Sequence, residues 1–308
     1  MPLFSVIIPV YNRLALLPAT LGSVFDQTFR DFEVIVVDDG STDGSPEWIA
    51  AQPLPIRLIR QENKGPGPAR NLALSHASGE YVAFLDSDDV WFAWTLAVYA
   101  TLLGNVDRPK LIAASLVEFT EPAELLSITR EADRIKSYPD FLTAAAQDGV
   151  FMGAGMACIH RETLLQAGGF PLHRFNAEDH DLALRLGEAP GFAVVQKPVL
   201  LGYRRHPGSV RADHQRSISG IRYLLRQERA GHYPGGPART RDRQAILSRH
   251  VRPIALESAR AGYFVPALTL YLQSLTLQIG QHRWKFVLVM PVMLLIGLIR
   301  RMARPKRT

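Results

Sequence analysis

The first hundred residues of this chain encode an α/β unit with a mostly parallel sheet flanked by helices, and three observations carry that reading. Apolar, strand-like runs alternate with segments of helical spacing. Several of those runs end in polar clusters. One end, Tyr81-Val82-Ala83-Phe84-Leu85-Asp86-Ser87-Asp88-Asp89, places three carboxylates within four residues. A βαβα order of this kind implies parallel strands with helices on both faces, and ligands in such sheets bind at the carboxyl ends of the strands.

The elements follow in order. Residues 4–9 form an apolar strand, and Leu14, Leu17, Leu21 and Val24 give residues 14–27 helical spacing. A second strand covers 32–37, followed by a helix over 45–51, a third strand over 56–59, a helix over 68–75 and a fourth strand over 81–85. The strand ends read Pro9-Val10-Tyr11-Asn12-Arg13, Asp38-Asp39-Gly40-Ser41 and Asp86-Ser87-Asp88, so three polar clusters are expected on one rim. Crowded carboxylates repel one another unless a cation lies between them. Oxygen ligands at a strand end suit a hard ion, Mg²⁺ or Mn²⁺, shared with substrate phosphates. The plainer alternative is an acidic turn capping a helix that starts near Trp91.

Beyond residue 110 the pattern loosens. Residues 111–117 read as a strand, 121–136 show no clear period, 137–147 look helical, 155–160 extended, 178–186 helical and 194–203 a strand. Residues 211–252, with ten arginines against three acids, read as two helices around Gly231-His232-Tyr233-Pro234-Gly235-Gly236-Pro237. Apolar segments over 263–279 and 286–299 follow. The expected organisation is a catalytic domain over 1–210, with a nucleotide-binding half to about 105 and an acceptor half from about 106. A basic helical extension over 211–308 completes it.

Composition narrows the function. The 308 residues are 47% hydrophobic and 21% charged, as in ordinary globular proteins. The one cysteine, Cys158, excludes an internal disulfide and a cysteine zinc site, which fits a reducing cytoplasm. Residues 3–10 are too short and lack the positive flank for a signal peptide. Residues 1–210 hold 17 basic against 25 acidic residues, whereas 211–308 hold 18 against 4. A basic rear half points to an anionic surface.

Taken together, Ser5-Val6-Ile7-Ile8-Pro9-Val10-Tyr11-Asn12, Val36-Val37-Asp38-Asp39-Gly40-Ser41-Thr42-Asp43, Asn63-Lys64-Gly65 leading to Ala69-Arg70-Asn71, and Phe84-Leu85-Asp86-Ser87-Asp88-Asp89 resemble glycosyltransferase family 2 in order and spacing. The match is close over residues 1–100 and weaker to about 215. The resemblance implies a GT-A fold and an inverting, metal-dependent transfer from a nucleotide-diphosphate sugar, expected to be a UDP-sugar. It implies that Asp39 meets the base, with Pro9, Tyr11 and Arg13 lining the same pocket. Arg70 would face phosphate, Asp86 the ribose and metal, and Asp88 the Mn²⁺ or Mg²⁺. Pro68 suits a first helical position. The segment from Phe175 to Arg185 resembles the family's Glu-Asp motif, which implies Asp179 as the base and Glu178 as an acceptor-positioning group. Tyr203-Arg204-Arg205-His206-Pro207-Gly208-Ser209-Val210 resembles the family's closing segment, with His206 as a further metal ligand. No Gln-x-x-Arg-Trp segment is found, which argues for transfer of a single sugar.

Rival chemistries lack their residues. A haloacid-dehalogenase-type phosphatase needs a carboxylate where Gly40 stands, and a calcium loop needs an oxygen ligand where Val90 stands. The remaining alternative is a catalytically inactive nucleotide-sugar-binding module. No nucleic-acid motif is present. Residues 281–308 hold seven Lys+Arg and no acid, with Trp284 at one edge of an apolar run about 21 Å long as a helix. Such a segment suits the cytoplasmic face of an anionic membrane, beside a saccharide or lipid-linked saccharide acceptor. The competing expectation is a buried helix packed on 263–279.

Overall fold

The computed structural model describes residues 1–104, 108–173, 175–206 and 213–302, with 300–302 as backbone only. The segment after His206 that resembles the family's closing motif (Pro207 to Val210), and the basic residues Arg304, Lys306 and Arg307, lie outside the described residues. The chain divides into two compact units. The first holds residues 1–144, 150–174 and 178–209, and the second 145–149, 175–177 and 210–308.

The first unit is built on a sheet of order β3-β2-β1-β4-β9-β6-β10-β8. Its strands are β1 (Phe4–Val10), β2 (Phe32–Asp38), β3 (Ile56–Arg60), β4 (Tyr81–Phe84), β6 (Leu111–Ala113), β8 (Arg134–Tyr138), β9 (Ala157–His160) and β10 (Phe192–Lys197). The β3-β2-β1-β4 portion is parallel, as expected. Beyond it β9 runs antiparallel to both neighbours and β8 antiparallel to β10, so the sheet is mixed. Phe4, Val6, Ile7, Ile8 and Val10 are all buried, because β1 lies between strands and has both faces covered. The helices α1 (Leu17–Phe25), α2 (Ser45–Ala50) and α3 (Pro66–His76) connect the parallel strands.

Several expectations change here. No helix starts near Trp91: Val90–Trp91 form a short strand, β5, and the helix α4 begins at Thr95 and runs to Leu103. Residues 111–117 split between β6 and β7 (Leu116–Phe119), which lie in different sheets. Residues 194–203 split likewise into β10 and β11 (Leu201–Arg204), separated by the cis Lys197–Pro198 bond. Ser137 and Tyr138 end β8, and the helix α5 covers Phe141–Asp148. A further helix, α6 (Arg161–Gln166), follows β9, and α3 opens at Pro66, two residues before the expected start. Prolines in the first turn are tolerated because its N–H groups have no intrahelical acceptor.

The short strands carry the consequence for function. β11 pairs antiparallel with β5 and parallel with β7. The chain just after β11 is thereby tied to the carboxylates just before β5. Gln27, fully buried, holds the same region by donating to Phe92 O at 2.8 Å and accepting from Leu96 N at 2.9 Å.

In the second unit α8 (His214–Arg229), α9 (Thr240–Arg260), α10 (Phe264–Gly280) and α11 (Trp284–Met302) follow one another, as the two-helix reading of 211–252 expects. Arg243, 4% exposed, buckles the α8–α9 connection: it pairs with Glu228 at 2.7 Å and donates to Pro234 O at 2.7 Å. The segment over 286–299 is part of a longer helix with one packed and one exposed side. Phe286 and Met290 are buried, and Tyr271 OH donates to Val287 O at 3.0 Å, so one side packs on α10. Leu288, Val292 and Leu295 on the other side are 54–69% exposed. Among the described residues no helix is long and apolar enough to cross a membrane.

At the strand ends opposite the polar rim, Glu33 accepts from Ser5 Oγ at 2.6 Å and from Ser78 N at 2.7 Å. Burial would raise its pKa, but these hydrogen bonds outweigh it and hold the carboxyl below its ordinary value. Gly79 donates to Ser5 Oγ at 2.8 Å, and a Cβ there would lie 2.5 Å from Ser5 N. Gly79→Ala must therefore push β1 aside and is expected to cost about 3 kcal/mol of stability. Chemical denaturation checks this; an unchanged midpoint would show that the turn yields freely.

Candidate active site

Each polar cluster sits on the rim where β1, β2 and β4 end. After β1, Asn12 takes the left-handed conformation at φ 51°, which asparagine tolerates. Its N–H donates to Ser41 Oγ at 2.9 Å and its Oδ1 accepts from Thr42 N at 2.8 Å, joining the ends of β1 and β2. Pro9 is half-buried at the end of β1, and Tyr11 is 47% exposed above it.

Asp39 is 3% exposed, with its carboxylate turned to the loop after β3. Oδ1 accepts from Gln61 Nε2 at 2.6 Å and Lys64 N at 2.8 Å, and Oδ2 accepts from Gly65 N at 2.8 Å. These bonds fill three of about four acceptor positions. Gly40, at φ 79°, brings the chain so close that a Cβ would lie 2.9 Å from Asn63 N. Gln61, Asn63, Lys64, Pro68 and Leu172 line a cleft of about 490 Å³ beside this loop.

Arg70 is not a surface residue. It is 4% exposed, 2.5 Å from Asp86 Oδ1 and 3.5 Å from Glu178 Oε1, with its guanidinium 5.2 Å over the Phe170 ring. Burial opposes its charge, but Asp86 and Glu178 more than offset that and hold its pKa above the ordinary value. Its neighbour Asn71 exchanges hydrogen bonds with Phe170, donating to its O at 2.8 Å and accepting from its N at 2.8 Å.

Asp88 and His206, 118 residues apart, meet through the β5–β11 pairing. His206 Nε2 lies 2.9 Å from Asp88 Oδ2, and Arg13 Nε lies 3.3 Å from the same oxygen. Arg204 fastens the junction: its Nε donates to Asp88 O at 2.9 Å and its N–H to Asp89 Oδ1 at 2.8 Å. Asp89 is buried, and burial first, then the charge of Asp86, pushes its pKa up to about 9. Burial likewise raises Asp86, with Arg70 pulling the other way and Asp88 adding to the rise.

Glu178 and Asp179 open the helix α7 (Glu178–Arg185), after Ala177 at a strained φ of 128°. Asp179 Oδ1 accepts from His180 N at 2.8 Å and lies 2.6 Å from His180 Nδ1. Burial would raise the Asp179 pKa, but His180 and then Arg70 outweigh it and hold the carboxyl far below its ordinary range. Asp181 points elsewhere, to Arg185 at 2.8 Å. Thus Arg70, Asp86, Glu178 and Asp179 form one electrostatic cluster, and Asp88, Arg13 and His206 another beside it. Asp39 belongs to the neighbouring loop.

Four contributors escaped the sequence reading: His180, Arg204, Gly153 and Gly155. A Cβ on Gly155 would lie 2.8 Å from Asp86 Oδ2, and one on Gly153 would lie 3.4 Å from Asp179 Oδ2. The Gly153-Ala154-Gly155 sequence was the available signal.

Among the described residues no three acidic, histidine or cysteine side chains gather as a metal shell. The donors nevertheless suit a hard ion. Asp88 and His206 are already adjacent, and glycine at 155 leaves Asp86 Oδ2 uncovered by a side chain. One or two carboxylates completed by substrate phosphates is the usual protein complement for Mg²⁺.

Residues 5–104 match the model of glycosyl transferase family 2. An uncharacterised glycosyltransferase of Rickettsia felis is 47% identical over 90 residues, which are 29% of this chain and 15% of that protein. A UDP-Glc:alpha-D-GlcNAc-diphosphoundecaprenol beta-1,3-glucosyltransferase of Escherichia coli, WfgD, is 39% identical over 103 residues, 33% of this chain and 41% of that one. The chain thus spans well under half of these relatives. In fold it is similar to S. aureus TarS 1–349, solved with UDP-GlcNAc, at a TM-score of 0.64 and 19% identity over 99% of this chain and 93% of that one. It is also similar to the Pyrobaculum calidifontis mannosyltransferase PcManGT, solved with GDP-Man and Mn²⁺, at a TM-score of 0.55 and 24% identity over 98% and 87%. The fold is GT-A. Over residues 5–104 the chain is similar to glycosyltransferase family 2.

The His180–Asp179 contact yields a pH prediction. Without the imidazole, Asp179 loses the strongest influence that lowers its pKa and keeps the burial that raises it, so the pKa rises. The acid limb of the kcat/KM profile in His180→Ala is expected to move to higher pH. An acid limb unmoved in that variant would remove Asp179 from the titrating step.

Proposed function

We propose that the protein is a metal-dependent, inverting glycosyltransferase that moves one sugar from a nucleotide-diphosphate sugar to an acceptor hydroxyl. The carrying observation is the buried Arg70 joined to Asp86 and Glu178, beside a deprotonated Asp179. Asp179 accepts the acceptor's proton as its oxygen bonds to the anomeric carbon and the sugar–phosphate bond breaks. A single base opposite the leaving group gives in-line displacement and inversion. Glu178, fixed by Arg70, positions the acceptor. Pro9, Tyr11, Arg13 and Asp39 receive the nucleotide, with the remaining acceptor position of Asp39 directed to the base. Asp88, His206 and Asp86 would hold Mn²⁺ or Mg²⁺, which supplies Lewis-acid stabilisation of the departing diphosphate.

The UDP-GlcNAc bound by TarS supports a UDP-sugar donor, and the WfgD name supports a lipid-linked saccharide acceptor in surface polysaccharide or glycolipid assembly. The exposed apolar side of α11, together with the basic residues of 281–308, supports peripheral attachment to the cytoplasmic face of an anionic membrane.

A panel of nucleotide sugars with Mn²⁺ should release nucleotide diphosphate from at least one donor, and EDTA should abolish the release. Asp88→Asn is expected to lower turnover a hundredfold or more, corresponding to about 3 kcal/mol of lost transition-state stabilisation. Asp179→Asn should do the same while nucleotide affinity stays near wild type. Nucleotide binding without diphosphate release from any donor would identify an inactive binding module instead.

For Asp39→Ala, calorimetry should show free-nucleotide binding weakened by about 1.5–3 kcal/mol, since both a charged hydrogen bond and the brace on the 61–65 loop are lost. Unchanged affinity would leave Asp39 with the loop alone.

A further inference from the structure

We propose that Arg249, Arg252 and Arg283 form a binding site for the phosphate of an anionic lipid headgroup, at the edge of the apolar face of α10 and α11. The inference rests on the peripheral-membrane reading above and assigns a site to it.

Arg249 and Arg252 stand three residues apart on α9 and so share a face of that helix. Arg283 lies in the turn between α10 and α11. Two hydrogen bonds bring that turn to α9: Ser248 Oγ donates to Gln278 Oε1 at 2.8 Å, and Arg283 N donates to Gln278 O at 2.9 Å. The turn that carries Arg283 is thereby held against the α9 turn that carries Arg249 and Arg252, near enough for its charge to reach both. Among the described residues the hydrogen-bond acceptors of their side chains are all backbone carbonyls, those of Ala145 and Ala146 for Arg249 and that of Ser248 for Arg252. Among the described residues no carboxylate pairs with any of the three. Burial, and then the charge of Arg283, lowers the pKa of both Arg249 and Arg252, as expected where like charges are held together.

Two donors at this turn are buried and unpartnered, Arg283 Nε and Gln278 Nε2. Grouped guanidinium forks with an unspent N–H are what a phosphate oxyanion satisfies. The surroundings select a lipid as the source of that phosphate. On α10, Val265, Leu268 and Leu272 recur at helical spacing and are 44–76% exposed, and α11 exposes Leu288, Val292 and Leu295. No Asp or Glu occurs from residue 258 to 308. Trp284, 51% exposed, stands next to Arg283, where an interfacial anchor sits between acyl chains and headgroups. An apolar face with a cationic pocket at its edge fits a lipid that is apolar below and anionic above.

The test uses the full-length protein in co-sedimentation with phosphatidylcholine vesicles, with and without phosphatidylglycerol, and with glycerol phosphate as a soluble competitor. Wild type is expected to prefer the phosphatidylglycerol vesicles. Arg252→Gln/Arg283→Gln should lose about tenfold of that preference, with donor hydrolysis and binding to neutral vesicles unchanged. If the double variant melts early, Arg252→Gln alone decides, because its side chain bonds only to its own helix; it should lose about threefold. Folded variants that keep the full preference would overturn the site and leave membrane attachment standing. Vesicle binding abolished by millimolar glycerol phosphate would reassign the site to a soluble phosphate. Wild type that binds no vesicle would overturn attachment and site together, with the glycosyltransferase reading untouched.

Discussion

Arg70 is 4% exposed, with Asp86 on one side and Glu178 on the other. Those carboxylates, with Asp88, Asp89 and Asp179, belong to a single rim, and so many negative charges do not pack without compensation. Removing one partner of a buried ion pair leaves an uncompensated charge, typically at about 3–5 kcal/mol. The chain meets this constraint from several directions. Arg70 comes from α3, Arg13 from the end of β1, Arg204 from β11, and His180 and His206 from α7 and the segment after β11. The cations and imidazoles thus reach the acids mostly from elements other than those that carry the acids. The sheet order follows the same need, since β1, β2 and β4 must end side by side for these groups to meet.

Two carboxylates on this rim are pushed in opposite directions although both are buried. Asp89 rises to about 9 because burial, and then the charge of Asp86, outweigh the N–H that Arg204 donates to it. Asp179 falls because an imidazole and a nearby guanidinium face it. Environments that drive the pKa values of close carboxyls apart fit them for different protonation states at one pH. Asp39 shows a third use, in which a charge is spent on loop backbone: its bonds to Lys64 N and Gly65 N shape the cleft wall before any ligand arrives.

Locality decided what could be read from the sequence. β1, β2 and β4 were legible because each is a largely apolar run closed by a polar cluster, and both signals lie within about ten residues. The helix expected near Trp91 failed because Val90 and Trp91 pair with Leu201 and Gly202, more than a hundred residues away. Residues 194–203 look like one strand because apolar residues flank Pro198 on both sides, yet the chain changes sheets between β10 and β11. At the site, Asp88 and His206 were legible singly, but their contact depends on that unforeseen pairing. His180 was hidden by its own neighbours, because a histidine after two acids reads as ordinary helix-start chemistry. Gly153 and Gly155 carry no side chain to suggest a role, and their meaning is the space they leave beside Asp179 and Asp86.

The same limit explains the ambiguity of 286–299. A helix that is apolar all round satisfies both a core and a membrane pattern, since periodicity cannot choose between its faces. Packing makes the choice: Phe286 and Met290 turn inward onto α10, and Leu288, Val289, Val292, Leu295 and Leu298 stay exposed. A charge-rich unit needs no second apolar side for its own stability. Arg243 and Glu228 already close the α8–α9 connection, and Ala267, Leu270 and Leu277 of α10 are already buried. The outward side of α11 takes no part in that packing, and exposed apolar area of that kind marks a contact surface.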